Sequence, residues 1–544
     1  MSNTTTPATD LLPGSSLSLG VLVCVLVLII CYWIFCLPRC AASNPINLLN
    51  RASKGKTMSH LATDDDVEAA SLLGRDAHNQ KEKNTQTKKS RSWILDNAKF
   101  VVMCHVLLGH FLLTSTSKDP SSTGDHVIRN WFKAWHDYSL SFQITVFAFI
   151  SGAVSKRSGD VTKSTRKLLI FVGGPMFLMY TFLYLTYTVW MPKHNTIGSP
   201  YNPVSFGASD WPVTPLWYLA SLISWRLMLL MFGSMANELL LPFSVLLSLA
   251  GGYWGGIGSD EISKMVHDVA KQSTVTDQIV LRSNTVMAFE RTLGNYPFFM
   301  AGVVCWPMLN AWLTTVTRRF QDKQKWLVPI VGAVFAAVLA CVVCATTIST
   351  SAYMIYGKYY QTNYLSGWLR QYGDLPSKLE WNLIWTRRAL YIIVSPILGM
   401  CNTLWLPTFK VPWISESGAH SVYPYVLQVT ALTLWTQVRD ALDIKKISQT
   451  SGGWWTIIFL AQPLVILLLS SRVVRFLFWP LVEPYWLNAF MADRNKLPWK
   501  HPELELFWEK NTRMHVFRIV FWIVMVVATF SKLLTPVRWF SAHQ

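Results

Sequence analysis

The chain has 544 residues and a formal net charge of +18; 51% of it is hydrophobic, 13% aromatic and 14% charged. Soluble proteins average roughly 25% charged residues, so this composition excludes a water-soluble enzyme, a disordered scaffold and a nucleic-acid-binding domain. It fits a polytopic membrane protein whose positive charge reflects the cytoplasmic excess of Lys and Arg and an affinity for anionic lipid.

The first apolar run, Leu17 to Cys36, is long enough to cross a hydrocarbon core of roughly 30 Å. Asp10 is the one charge before it, and positive charges follow from Arg39. Residues 1–38 therefore read as an anchor helix with its N-terminus outside or lumenal. Residues 39–90 are polar, of mixed charge and without hydrophobic periodicity, as expected of a disordered cytoplasmic linker. From Trp93 onward, spans are predicted near 96–116, 139–154, 168–190, 214–236, 239–256, 286–310, 326–350, 383–405, 420–438, 454–479 and 515–534. Basic clusters at Lys156 to Lys167, Arg318 to Lys325, and Arg472 with Arg475 fall on one side if the linker is cytoplasmic. The loop 351–381 then lies outside. The run Gly251 to Gly258 follows no strand and reads as a loop or helix break, not a dinucleotide fingerprint.

The nine Cys show no framework spacing. Cys341-x-x-Cys344 lies in an apolar run and supplies too few ligands for zinc, so it reads as lipid-facing or packed thiols and no metal is expected. No Walker A, GxSxG or HExxH pattern stands out.

The segment from Arg91 to His110 places ionisable groups where lipid is expected. Each costs roughly 2.5–3.5 kcal/mol at a span centre on insertion scales, so such groups tend to be functional. Lys99 and His110 are eleven residues apart. That is close to three helical turns, so they share a face, with Asp96 within about 40° of it and His105 roughly 140° away. His110 would lie about 16 Å deeper than Lys99. A polar stripe thus runs from the cytoplasmic surface toward the membrane centre. On these residues alone, a functional His and a His bonded to a neighbouring helix remain equal alternatives.

The same segment resembles the first core helix of the membrane-bound acyltransferase-3 family, with Asp96, Lys99 and His110 at the family's acidic, basic and terminal His positions. Lys99 stands where many members have Arg, which removes bidentate pairing there. Leu-Asp-Asn-Ala-Lys and Leu-Leu-Gly-His are most similar to the fucose 4-O-acetylase branch. Further similar segments follow in order. They are Phe142 to Gly152, Pro215-Leu-Trp217-Tyr218-Leu, Arg291 to Gly302, Ser417-Gly418-Ala-His-Ser421-Val-Tyr423, and Leu481-Val-Glu483-Pro484. Gln428 stands where the family often has His. The resemblance covers residues 91–485.

It implies an all-α polytopic integral membrane protein with an acyltransferase core of about ten helices over residues 91–485. The anchor 1–38 and linker 39–90 precede this core, and a C-terminal region 486–544 with a final span follows it. The expected activity is O-acylation, with the acyl group (acetyl by expectation) passing from cytoplasmic acyl-CoA to a hydroxyl of a carbohydrate or related acceptor. An endomembrane or plasma-membrane location is expected. In that chemistry a neutral imidazole takes the hydroxyl proton, which assigns His110 as general base. Asp96 orients the stripe or pairs Lys99, and Glu483 is a candidate for fixing the His tautomer. Lys99, Arg157, Lys163 and Arg166 are the candidates for the donor's phosphates, with the ordinary cytoplasmic Lys/Arg excess as the alternative. Ser151-Gly152 suits close helix packing. Trp217 and Tyr218 suit either stacking on a sugar ring or a belt at the membrane interface. The competing function is a proton-coupled transporter using the His/Asp/Lys stripe.

Overall fold

The apolar segments bury no alternating pattern and offer no strand periodicity. In lipid their backbone polar groups must be satisfied internally, which selects helices. The computed structural model describes residues 92–116, 126–155, 161–190, 216–253, 289–320, 326–350, 364–372, 376–428, 430–431, 460, 462–490, 504 and 512–534. Among them there is no strand. The anchor 1–38, the linker 39–90, Arg157 and the stretch 254–258 of the Gly run lie outside the described residues.

The first helices are α1 (Trp93–Thr116), α2 (His126–Val154) and α3 (Val161–Leu168); a π-turn, Leu169–Gly173, joins α3 to α4 (Gly174–Trp190). Two shorter helices, α5 (Trp217–Phe232) and α6 (Asn237–Gly251), precede the long α7 (Phe289–Phe320) and α8 (Leu327–Thr350). Then come α9 (Tyr364–Tyr372), α10 (Lys378–Leu383), α11 (Trp385–Thr403), α12 (Ile414–Ala419) and α13, residues 422–428. The chain continues through α14 (Gln462–Leu469), α15 (Arg472–Val482), a 3-10 turn at Tyr485–Phe490 and α16 (Thr512–Leu534).

Four of the described helical stretches are long and apolar enough to cross a membrane: Ser164–Leu183, Arg291–Thr315, Leu327–Ile348 and Leu379–Thr403. A fifth results if α14 and the segment after it form one broken span. Their outward faces are apolar, as a lipid solvent requires. On α8, Ile330, Val334 and Val338 are all more than half exposed, and on α16 so are Ile519, Ile523 and Val527. The Cys pair divides between the two faces of α8, with Cys341 exposed and Cys344 buried.

Three elements differ from the sequence expectation. The span predicted from 139 belongs to a helix that begins at His126. Polar residues such as His136 and Asp137 lower the local hydropathy without breaking the helix. The span predicted at 286–310 continues to Phe320. The span predicted at 454–479 is not straight where it is described, because α14 meets the next segment at 65°. Ser471 causes the restart: its hydroxyl caps α15 by accepting from Val474 N at 3.4 Å.

Glycine sets the closest approach in the bundle. A Cβ on Gly152 would overlap the Phe299 carbonyl, and one on Gly302 would overlap the Phe149 carbonyl, so α2 and α7 cross backbone to backbone. The two helices run parallel. The crossing matches residue 151 to 301, and Tyr391 Oη of α11 bridges Thr145 and Asn295, six residues earlier on each, at 3.3 Å. In contrast, α1 and α2 are antiparallel: His105 Nδ1 lies 2.9 Å from Ser139 Oγ, and Gly109 lies against His136. At the end of α6, Gly252 lies under the Tyr364 ring and accepts from Tyr364 N at 2.9 Å, which docks α9. Within the C-terminal region, α16 packs on the core: Trp522 Nε1 donates to Leu477 O at 3.1 Å, and Arg518 lies over the Phe476 ring.

Candidate functional site

Polar groups recur along α1. At the N-terminal end, Lys99 Nζ sits 3.1 Å from Asp96 Oδ1. The i,i+3 spacing puts acid and base side by side, and an acid in the first turn complements the helix dipole. Asp96 is buried. Gly418 of α12 packs against the Asp96 backbone, where a Cβ would overlap the carbonyl.

The neighbouring Asn97 has a role the sequence reading missed. Its Nδ2 donates to Pro407 O at 2.7 Å and Phe409 O at 3.3 Å, and its Oδ1 accepts from the Ser415 hydroxyl at 2.6 Å. It thereby fixes the turn between α11 and α12, in which Trp413 carries a positive φ of 64°. Asn97 is 1% exposed. An Asn97→Ala protein is expected to lose about 2–4 kcal/mol, because buried partners left unsatisfied cost roughly 1–3 kcal/mol each. Thermal unfolding in detergent checks this.

Further along α1 His110 is half-buried, and a second histidine, from α2, packs on its neighbour Gly109. A Cβ placed on Gly109 would stand 3.2 Å from His136 Cδ2 and 3.5 Å from His136 Nε2. The His136 ring therefore faces the turn of α1 that carries His110. His136 Nδ1 is 3.3 Å from Asp137 Oδ1, and Asp137 is buried. His105, one helical turn and a half before His110, is occupied otherwise. It bonds Ser139 and packs edge-on to Phe142 at 5.1 Å. The sequence signal for His136 and Asp137 was their position immediately before a predicted span, in helical continuity with it.

Elsewhere in the bundle, segments distant in sequence converge. Ser151 Oγ and Tyr218 Oη are 2.8 Å apart. Tyr218 is buried and packs edge-on to Phe147 at 5.9 Å and Tyr425 at 5.8 Å, which removes it from an interfacial belt. Arg291 lies over the Trp217 ring at 5.0 Å. Glu483 accepts from Tyr423 Oη at 2.9 Å, so this carboxylate is engaged by α13. The buried Gln428 has no bonded partner for either amide atom among the described residues.

Of the phosphate candidates, Lys99 is in the ion pair with Asp96 and Arg166 is half-buried near the end of α3. Lys163 lies on α3, and its side chain is outside the described ones, as is Arg157. Among the described residues no cluster of His, Cys, Asp and Glu could hold a metal ion.

Neither protein-family models, characterised proteins nor solved structures match this chain.

Proposed function

We propose that the protein is a membrane O-acyltransferase of the acyltransferase-3 type, with a core of about ten helices over residues 91–485. It transfers an acyl group, acetyl in the simplest case, from cytoplasmic acyl-CoA to a hydroxyl of a carbohydrate or related acceptor. The observation that carries this reading is the mutual contact of the segments on which the resemblance rests. Asp96 packs on Gly418, Gly152 on the segment ending at Gly302, Ser151 on Tyr218, and Tyr423 on Glu483. Two of these contacts, Ser151–Tyr218 and Tyr423–Glu483, join polar groups, which merely hydrophobic segments have no reason to do.

In this reading His110 is the general base. Its ring takes the acceptor's hydroxyl proton while the oxygen attacks the thioester carbonyl. Lys99, steered by Asp96, and the cations of the α2–α3 turn bind the donor's phosphates. The test is a donor assay: purified protein in detergent is given labelled acetyl-CoA, and free thiol and labelled acceptor are followed. Thioester turnover supports the transferase; absence of both binding and turnover ends it.

A second reading, a proton-coupled transporter, draws on the broken span at Ser470–Ser471 and on the intramembrane histidines. Proton-driven uptake into proteoliposomes without acyl-CoA is the result that would favour it.

A further inference from the structure

A base acts from one ring nitrogen, so something must hold the proton on the other. Sequence reasoning offered Glu483 for that task, but its carboxylate bonds Tyr423. The carboxylate that the structure brings to the His110 end is Asp137, and it reaches that end through His136. Asp137 Oδ1 accepts from His136 Nδ1 at 3.3 Å. A carboxylate on Nδ1 selects the Nδ1–H tautomer, which leaves Nε2 as the acceptor. Nε2 lies 3.5 Å from a Cβ position at Gly109, the residue before His110 in the chain. The small residue is what admits the ring: with the nearest ring carbon only 3.2 Å from a Cβ position at Gly109, any larger side chain there would displace it.

We propose that His136, fixed by Asp137, is a positioning residue for His110: its Nε2 accepts the His110 N–H and leaves the other His110 nitrogen free to act as base. The inference rests on the transferase reading. In the transfer step the acceptor C–O–H proton moves to His110 as the new ester C–O bond forms. The thioester C–S bond breaks, and the same proton then leaves with the CoA sulfur as thiol. His136 gains and loses no proton; it holds the ring orientation through both transfers and stabilises the transient imidazolium.

The test uses the full-length protein with His136→Phe, His136→Gln and Asp137→Asn. Two readouts are taken: steady-state thiol release from acetyl-CoA, and the rate at which diethyl pyrocarbonate modifies His110, read by peptide mass spectrometry. The second needs no substrate and no turnover. His136→Phe is expected to lower kcat by about 10- to 100-fold with KM for acetyl-CoA unchanged, and to slow modification of His110 comparably. His136→Gln supplies an amide oxygen as acceptor and should recover much of both. Asp137→Asn can donate to His136 and invert its tautomer, so it should reproduce the loss even if the Phe variant fails to fold. An unchanged modification rate and kcat in His136→Phe and Asp137→Asn, beside an inactive His110→Ala, would overturn the inference and leave the transferase standing. Full turnover by His110→Ala would instead remove the transferase reading, and the modification rates would still decide whether His136 orients His110.

Discussion

A Gly302→Val protein is expected to lose its folded yield almost entirely, and Gly152→Val likewise. Overpacking an ordinary core site costs typically about 1–3 kcal/mol, because neighbouring side chains can swing aside. Here the group in the way is a main-chain carbonyl on the opposite helix, Phe149 for Gly302 and Phe299 for Gly152. A carbonyl cannot rotate without breaking its own helical bond, so α2 and α7 must separate. Separation also pulls at the Tyr391 hydroxyl, which bridges Thr145 and Asn295. The loss is therefore expected at or above the upper end of that range, about 3 kcal/mol or more. Gly173→Ala is the control, since a Cβ there meets only ordinary contacts at 3.7 and 3.8 Å. Detergent extraction followed by size-exclusion chromatography reads all three. The double variant Gly152→Ala/Gly302→Ala should be no worse than the sum of its parts, because both act at one crossing. A monodisperse Gly302→Val protein with unchanged thermal stability would mean the two backbones are not in contact.

The crossing shows what could be read from the residues alone. Small residues in apolar helices suggest close packing, and Ser151-Gly152 was legible as such. Its partner on α7 was not, because hydropathy carries no information about which helices touch. Neighbours within one element were legible, because helical geometry fixes them. The Asp96–Lys99 pair follows from i,i+3 spacing. His136 was hidden by the opposite effect. Averaging over a polar, helical overhang placed the start of the span at 139, although the helix begins at His126. The bend at Ser470–Ser471 was hidden because flanking Leu and Val keep the mean hydropathy high through the break. Asn97 was not singled out, because its three bonds reach residues more than three hundred positions away.

His110→Ala should reduce acetyl-CoA turnover by about 10²- to 10⁴-fold, the range that a positioned general base contributes. The reduction should fall on kcat and kcat/KM together, since in the proposed reaction the imidazole is used when the acceptor oxygen attacks and not when the donor binds. Donor affinity should stay within about twofold, because the cations proposed for the phosphates lie toward the other end of the stripe, roughly 16 Å from His110 by helical rise. Lys99→Ala should show the reverse pattern, with KM for the donor raised and kcat little changed. Its loss removes the partner of Asp96 and one cation. His105 provides the internal comparison. It is on the same helix, but its Nδ1 is committed to Ser139 and its ring to Phe142. His105→Ala should therefore lower thermal stability while leaving kcat near the unmodified value. Steady-state kinetics on the three proteins, each first shown to elute as a single species, separates the roles. Equal losses at His105 and His110 would mean that removing any histidine loosens the α1–α2 hairpin, and the base would have to be sought elsewhere. A selective kcat loss at His110 would place the chemistry in the second half of α1, where His136, paired with the buried Asp137, faces Gly109.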